Sequence, residues 1–268
     1  MATPTWQALD PQAAIAYFRA KGLALGFDWR DVWAEEHAIA FTVAKAMSLD
    51  LLAEIRAAVD AALAGGQTLD EFRQALTPLL IARGWWGRRE VIDPLTGEVR
   101  EAQLGSARRL QTIFDTNLRT AYAAGHWAEI ERTKDDAPWL VYRHTPQEDP
   151  RPEHQAWDGL CLRADDPWWR THTPPNGWYC KCYVQQMNAR DLERYGVAPS
   201  PAAPPLDLKP WTNTRTGRVE MVPRGIDPGF AQNPGLIDRR AEAEARLEEK
   251  QTALTRLIAR TRARSFRA

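Results

Sequence analysis

Proline partitions this chain more sharply than any other residue. Four of the 19 prolines precede residue 138, fifteen fall between 138 and 234, and none follows. A proline removes a backbone donor and breaks a helix interior. The distribution predicts a helical first part, an irregular mixed middle and a helical end.

In the first part, Asp10-Pro11 reads as a cap followed by a first-turn proline, and Gly22 stops that helix. Residues 29–46 carry Trp33, Ile39, Phe41 and Val43 in a long, mostly apolar pattern that also reads as helix. Residues 49–64 place Leu52, Ile55, Val59 and Leu63 at helical spacing and end at Gly65-Gly66. Thr68 and Glu71 spell a capping box, opening a helix to about Arg83 with Pro78 as its point of kinking. The stretch VIDPLTGEVR predicts a β-hairpin near 90–100. Leu110, Ile113, Phe114, Leu118, Ala121 and Tyr122 line one face of a long helix over roughly 103–133.

From PWLVYRH onward the period falls to two. Leu140, Tyr142 and His144 alternate with Val141 and Arg143, and WYCKCYV puts Trp178, Cys180, Cys182 and Val184 on one face. Residues 196–235 read as extended over the surface, with a small hairpin at TNTRTGRVEMV, and 236–268 as a polar helix. No internal repeat is evident. The expected fold class is α+β and mainly helical. It comprises an N-terminal helical region with its hairpin (1–102), a core of long helix plus small mixed α/β domain with short strands (103–195), an extended Pro/Gly-rich segment (196–235) and a C-terminal helix with a basic end (236–268).

Composition narrows the function classes. Lys plus Arg equals Asp plus Glu at 35 each, so overall charge makes no case for wholesale nucleic-acid binding. No stretch approaches the apolar length of a membrane span, and the first residues lack the pattern of a signal peptide. Three cysteines cannot all pair, and a chain of 268 residues does not need disulfides to hold it, which points to a reducing compartment. The twelve tryptophans, some adjacent as in GWW and PWW, suit core or interface packing.

Cys180 and Cys182 raise the chemical question. Two residues apart on a strand means about 7 Å between α-carbons, at the limit for a disulfide, while the sulfurs can still lean toward one ion. The CxxC redox spacing is absent. Two small core residues and a metal site both fit. A tetrahedral zinc needs one or two further donors, and His144, Asp149, His154, Asp158 and Cys161 lie upstream. A small Pro-rich domain with few apolar residues gains from a metal staple.

DPRPEHQAWDG, DDPWW and PPNGWYCKCYV, in that order, resemble the central signature of the phage Mu F-like head morphogenesis family. DTNLRTAYAAGH before them and VPRGIDPGFAQNPG after them look like further parts, so the resemblance covers about 105–235. The matching positions are Arg119, Asp149, His154, Asp158, Gly159, Pro174, Pro175, Cys180 and Cys182; Cys161, His144 and His172 fall outside the pattern. The expected ligand set for one structural zinc is therefore Asp149, His154, Cys180 and Cys182, with Arg119 and Asp158 as braces within the domain.

The resemblance implies a minor head protein of a tailed phage or prophage, not an enzyme. Such a protein is assembled in the host cytoplasm, resides in the virion head, and has the portal protein or the major capsid protein as partner. Six basic residues and no acidic one follow from position 250: Lys250, Arg256, Arg260, Arg262, Arg264 and Arg267. A helix dipole accounts for part of this, and contact with DNA or an acidic partner for the rest. Loss of the helix from Lys250 onward is accordingly expected to change melting little. Two other classes compete. One is a zinc-dependent hydrolase or toxin-like domain, with Glu148 or Glu153 as general base; the other is a nucleic-acid binder working through the basic helix. No nucleophile elbow, His-Glu-x-x-His run or phosphate loop supports catalysis.

Overall fold

The computed structural model describes residues 11–237 and 240–265, the last five as backbone only. In chain order, α1 (Pro11–Arg19), β1 (Gly22–Leu23), α2 (Glu36–Ile39), β2 (Ala40–Phe41), α3 (Leu49–Gly65) and α4 (Leu69–Ala82) come first. A hairpin of β3 (Arg88–Ile92) and β4 (Val99–Gln103) precedes the long α5 (Ala107–Thr133). Then follow β5 (Trp139–Arg143), α6 (Pro152–Ala156), β6 (Cys161–Arg163), α7 (Trp169–His172), β7 (Tyr183–Met187) and α8 (Ala189–Tyr195). A second hairpin, β8 (Leu208–Thr212) with β9 (Val219–Pro223), and the helix α9 (Arg240–Ser265) complete the chain. The class is mixed α and β, as the proline distribution predicts. Among the described residues no helix is long and apolar enough to cross a membrane.

The elements gather into two compact units, neither continuous in sequence. The first holds residues 11–19, Leu118–Trp211 and Met221–Leu236; the second holds Ala20–Asn117, Thr212–Glu220 and the residues from Ile237.

The first unit is built on an antiparallel sheet of order β6-β5-β7, with Val141 opposite Cys161 on one side and Tyr142 opposite Val184 on the other. Alternation along β5 gives the sheet two apolar faces. Leu140 and Tyr142 join Trp127, Ile130, Leu162, Trp157, Trp168 and Trp169, whereas Val141 joins Cys161, Met187 and Leu192. The tryptophan-rich stretch is therefore core, and Trp169 also donates its ring N–H to Arg163 O at 2.9 Å. Helix α1 packs on α5 at Gly125, where a Cβ would lie 2.8 Å from Ala14 N, so only glycine lets the backbones approach this closely. Residues 221–236 lie along the same unit: Asn233 donates to Trp169 O at 3.2 Å, and Asp227 N–H to Asn176 O at 2.9 Å.

The second unit shows both the reach and the limits of helical pattern. The expected caps are present: Gly66 ends α3 at φ 62, and Thr68 and Glu71 form the reciprocal box, with Thr68 N–H donating to Glu71 Oε2 at 2.7 Å. Pro78 sits inside α4, which continues to Ala82. Residues 29–46, however, are not the predicted helix. Only Glu36–Ile39 is helical, while Ala34 and Lys45 adopt φ of 48 and 67. Asp31 accepts from Phe27 N–H and Asp28 N–H, both at 2.9 Å, and Glu36 from Trp33 N–H at 2.8 Å. Side chain-to-backbone bonds of this kind compete with the helical ladder, and here they prevail over apolar spacing.

The two hairpin turns are built alike, a short likeness within a chain that shows no longer repeat. Asp93 and Asn213 each accept from the N–H two residues on, at 3.0 Å in both. Thr96 and Thr216 do the same for Glu98 and Arg218 at 3.2 and 3.3 Å, and Gly97 and Gly217 share φ 74. The Asp/Asn-x-x-Thr-Gly pattern is visible in DPLTG and NTRTG. From the second turn Arg215, partly buried, reaches Asp93 with two bonds of 2.6 and 3.1 Å, and also pairs with Asp31. Burial pushes the Asp93 carboxyl up, but bonds from Arg215 and Leu95 N–H outweigh it and hold the pKa below its ordinary value.

Helix α9 corrects the expectation of a dispensable tail. Lys250 Nζ binds both oxygens of the buried Glu36 at 2.8 and 2.7 Å. Gln251 clamps Leu25, accepting from its N–H at 2.8 Å and donating to its carbonyl at 2.9 Å. Leu247 packs against Ala24, Val32 and Ala40. Lys250, expected to face DNA or a partner, is thus committed to Glu36 within its own unit, because a buried carboxylate demands a cation. Arg256 and Arg260 are exposed on α9. The side chains of Arg262 and Arg264, and Arg267 altogether, lie outside the described residues.

Candidate metal centre

The CxC segment departs from the strand expected of it. β7 begins only at Tyr183, and Cys180 and Cys182 lie in its irregular approach, where Tyr179 takes φ 59. The sulfurs converge all the same. Asp227 organises the preceding turn, accepting from Trp178 N–H at 2.8 Å and from Arg151 at 2.7 Å. Tyr142 donates its hydroxyl to the fully buried Asn176 at 2.9 Å, fixing the residues after the cis Pro174–Pro175 bond.

His154 comes from α6, a short helix that Pro152 opens at its first turn, and its ring is stacked on Trp157 at 5.2 Å between centroids. Its Nε2 lies 2.8 Å from Gly225 O, a bond that requires the N–H on Nε2. That leaves the Nδ1 lone pair free, and Nδ1 lies 3.7 Å from Cys180 Sγ and 3.6 Å from Cys182 Sγ. A metal-binding histidine is commonly oriented in this way, by a carbonyl that fixes the tautomer. Gly225 suits its role for a steric reason. It adopts φ 83, and a Cβ would meet Glu153 Cβ at 2.6 Å and Trp157 Cη2 at 2.8 Å.

The donor set fits a metal. His154, Cys180 and Cys182 are all buried, and one ligand atom from each lies within 4.8 Å of the others. A tetrahedral zinc with Zn–S of about 2.3 Å and Zn–N of about 2.0 Å sets sulfur–nitrogen separations near about 3.5 Å, close to those seen. One thiol of the pair is electrically prepared to ligate. Cys180 is brought down to about 4, first by its hydrogen bond with Cys182 and, against burial, by His154 and Asn176 N–H. Cys182 is pushed up by its bond with Cys180, by burial and by the neighbouring sulfur charge. Two adjacent thiolates in an aromatic pocket repel each other, and a divalent cation relieves that repulsion.

The other expected residues are placed differently. Asp149 stands exposed in the bend before α6 and is not part of the buried group, which corrects its expected role as oxygen ligand: its carboxylate stays hydrated in the Asp-Pro turn. Asp158 accepts from His144 N–H at 2.8 Å, joining the end of α6 to the end of β5. Arg119 is half-buried on α5, and its side chain makes no hydrogen bond or ion pair among the described residues. Cys161 lies on the opposite face of the sheet. His144, set aside by the family pattern, has Nδ1 3.6 Å from Cys182 Sγ. Gly225 and Asp227 lie in VPRGIDPGFAQNPG, a stretch the resemblance includes, but neither is among the positions it implies for the site.

Comparison with known proteins places these residues in context. Residues 53–185 match the family model described as Phage Mu protein F like protein. Over 243 residues the chain is 38% identical to "Putative capsid assembly protein F" of Escherichia phage Mu, a match that covers 85% of this chain and 54% of that one. Over 171 residues it is 39% identical to the Mu-like prophage FluMu F protein of Haemophilus influenzae, covering 64% and 40%. The chain thus spans about half or less of the curated relatives it matches. No solved structure matches it. The family match takes in His144, His154, Cys180 and Cys182 and begins well upstream, in α3, whereas the quoted motifs start at Asp115.

Proposed function

This chain belongs to the phage Mu protein F-like family, and from that premise we propose that it serves phage head morphogenesis as a minor structural component of the head. The observation that carries the reading is a similarity running through 85% of the chain to a protein named for capsid assembly. We read its partners as the portal protein or the major capsid protein, its place as the virion head after assembly in the host cytoplasm, and its role as non-enzymatic. Arg256 and Arg260, exposed on α9, are the described groups suited to packaged DNA or an acidic partner surface.

Cys180, Cys182 and His154 hold, on this reading, one structural zinc. Bound there, the ion supplies cross-linking and charge neutralisation in a small unit with short strands. A hydrolase is disfavoured because catalytic zinc keeps an open, wet position, while this donor set is buried and rich in thiolate. Co-expression with the portal and major capsid proteins of the same phage tests the assembly role. The protein should co-purify with the portal and be recovered in assembled heads. Heads that form and package normally without it, with no portal association, would overturn the reading. Zinc absent from freshly purified, reduced protein would remove the metal from it.

A further inference from the structure

We propose that His144 is the fourth ligand of the centre, completing a Cys2His2 site with Cys180, Cys182 and His154. The inference rests on the three-ligand reading above and adds the residue that closes it.

The position follows from strand register. β5 and β7 pair antiparallel with Arg143 opposite Tyr183, so the next pair in register sets His144 opposite Cys182. Directly opposed residues on one face of an antiparallel pair are the closest cross-strand neighbours. The backbone there is held from two sides. Asp158 accepts from His144 N–H at 2.8 Å, and Thr145 donates its hydroxyl to the carbonyl of Lys181, the residue between the cysteines, at 2.7 Å. The ring presents Nδ1 at 3.6 Å from Cys182 Sγ, the same separation that His154 keeps from that sulfur. Nε2 is buried with no hydrogen-bond partner among the described residues, so no competing bond holds the ring away. The group whose ligand atoms all lie within 4.8 Å of one another stops at His154, Cys180 and Cys182, so His144 must draw closer to complete it.

Charge selects the same ligand. Two thiolates balance a divalent cation, and two neutral imidazoles leave the site uncharged. A carboxylate in the fourth place would leave a net negative charge against Tyr142, Trp157 and Trp168, where burial of charge is costly. Asp149, exposed in its turn, would also have to give up its hydration to reach the site.

Cobalt(II) loading of the full chain, followed by its visible spectrum and by competition with a chelator, tests the proposal. The native protein should bind one cobalt per chain with a tetrahedral spectrum and the charge-transfer intensity of two thiolates. H144N should weaken binding by at least about tenfold. H144C should restore affinity and raise the thiolate band in proportion to a third sulfur, an outcome that a merely structural role for His144 does not produce and that stands even if H144N folds poorly. D149A should leave both readouts unchanged. Native protein that takes up no metal, or C180S that binds as tightly as native, removes the underlying three-ligand reading. Native binding that C180S abolishes, while H144N matches native affinity and spectrum and H144C adds no thiolate intensity, overturns His144 alone.

Discussion

Two glycines with the same backbone angle allow the support of His154 to be separated from backbone strain. Gly225 and Gly159 both sit at φ 83, so an alanine at either position carries the same left-handed penalty, about 1–2 kcal/mol. Their surroundings differ. A Cβ at Gly159 meets nothing within 4 Å, whereas at Gly225 it lies 2.6 Å from Glu153 Cβ and 2.8 Å from Trp157 Cη2. Both contacts belong to α6 or its C-terminal cap, and neither can be relieved without moving the helix that carries His154. Overpacking of this kind adds about 1–3 kcal/mol, and displacement of Gly225 O also loosens the His154 Nε2 bond. Chemical denaturation of G225A and G159A side by side should therefore show G225A less stable by about 1–3 kcal/mol. Chelator competition should show weakened metal binding in G225A only. Equal losses of stability and unchanged metal affinity in both variants would refute the view that Gly225 positions the site.

Further outcomes concern the rest of the molecule. R215M leaves the buried Asp93 with Leu95 N–H and, as its nearest described cation, the distant Arg100 at 3.5 Å, and should cost about 3–5 kcal/mol in denaturant unfolding. Because the folded pKa of Asp93 is depressed, its contribution is present above the unfolded carboxylate value and is lost as pH falls through the lower folded value. The stability of R215M should accordingly vary less steeply across the acidic range than that of the native chain. K250M should cost about 1–3 kcal/mol, between the values for exposed and buried pairs, because Lys250 is partly exposed while Glu36 is buried. Truncation before Lys250 should cost at least as much; unchanged melting would restore the picture of a dispensable tail. C161S should leave metal content unchanged by elemental analysis, since Cys161 packs with Val141, Met187 and Leu192 on the far face of the sheet.

Much of this architecture is legible in the sequence where the rule is local. Thr68 and Glu71 announce a cap, DPLTG a turn, and the alternation through Leu140 and Tyr142 a strand, because each depends on neighbours a few residues away. Residues 29–46 defeat the apolar pattern because Asp31 and Glu36 bind local backbone N–H groups, a competition that periodicity does not register. The metal donors divide in the same way. Cys180, Cys182 and His154 stand out by spacing and by family likeness. Alternation puts His144 on one face with Leu140 and Tyr142, but only the pairing of β5 with β7 shows that this face meets the cysteines, and the family pattern names Asp149 in its place. The role of Gly225 is not legible, although VPRGIDPG belongs to the resemblance, since its contribution is a carbonyl, and a backbone atom leaves no mark in residue identity beyond the glycine that makes room for it.

The interleaving of the two units has a consequence for how the chain emerges from the ribosome. The polypeptide passes from one unit to the other at residues 20, 118, 212, 221 and 237. The first unit lacks a segment until Leu236 has been made, and the second still lacks α9 at that point. Neither can close early, so vectorial folding, N-terminal part first, is denied to both. The cysteines feel this delay most. Gly225, which fixes the proton of His154, is synthesised 45 positions after Cys180, a few seconds later at about 5–20 residues per second. For that interval the nascent chain carries both thiols without the imidazole held against them. On the proposed zinc reading, both thiols must stay reduced and competent to take up metal through this interval, so the demand falls on biosynthesis before it falls on the finished fold.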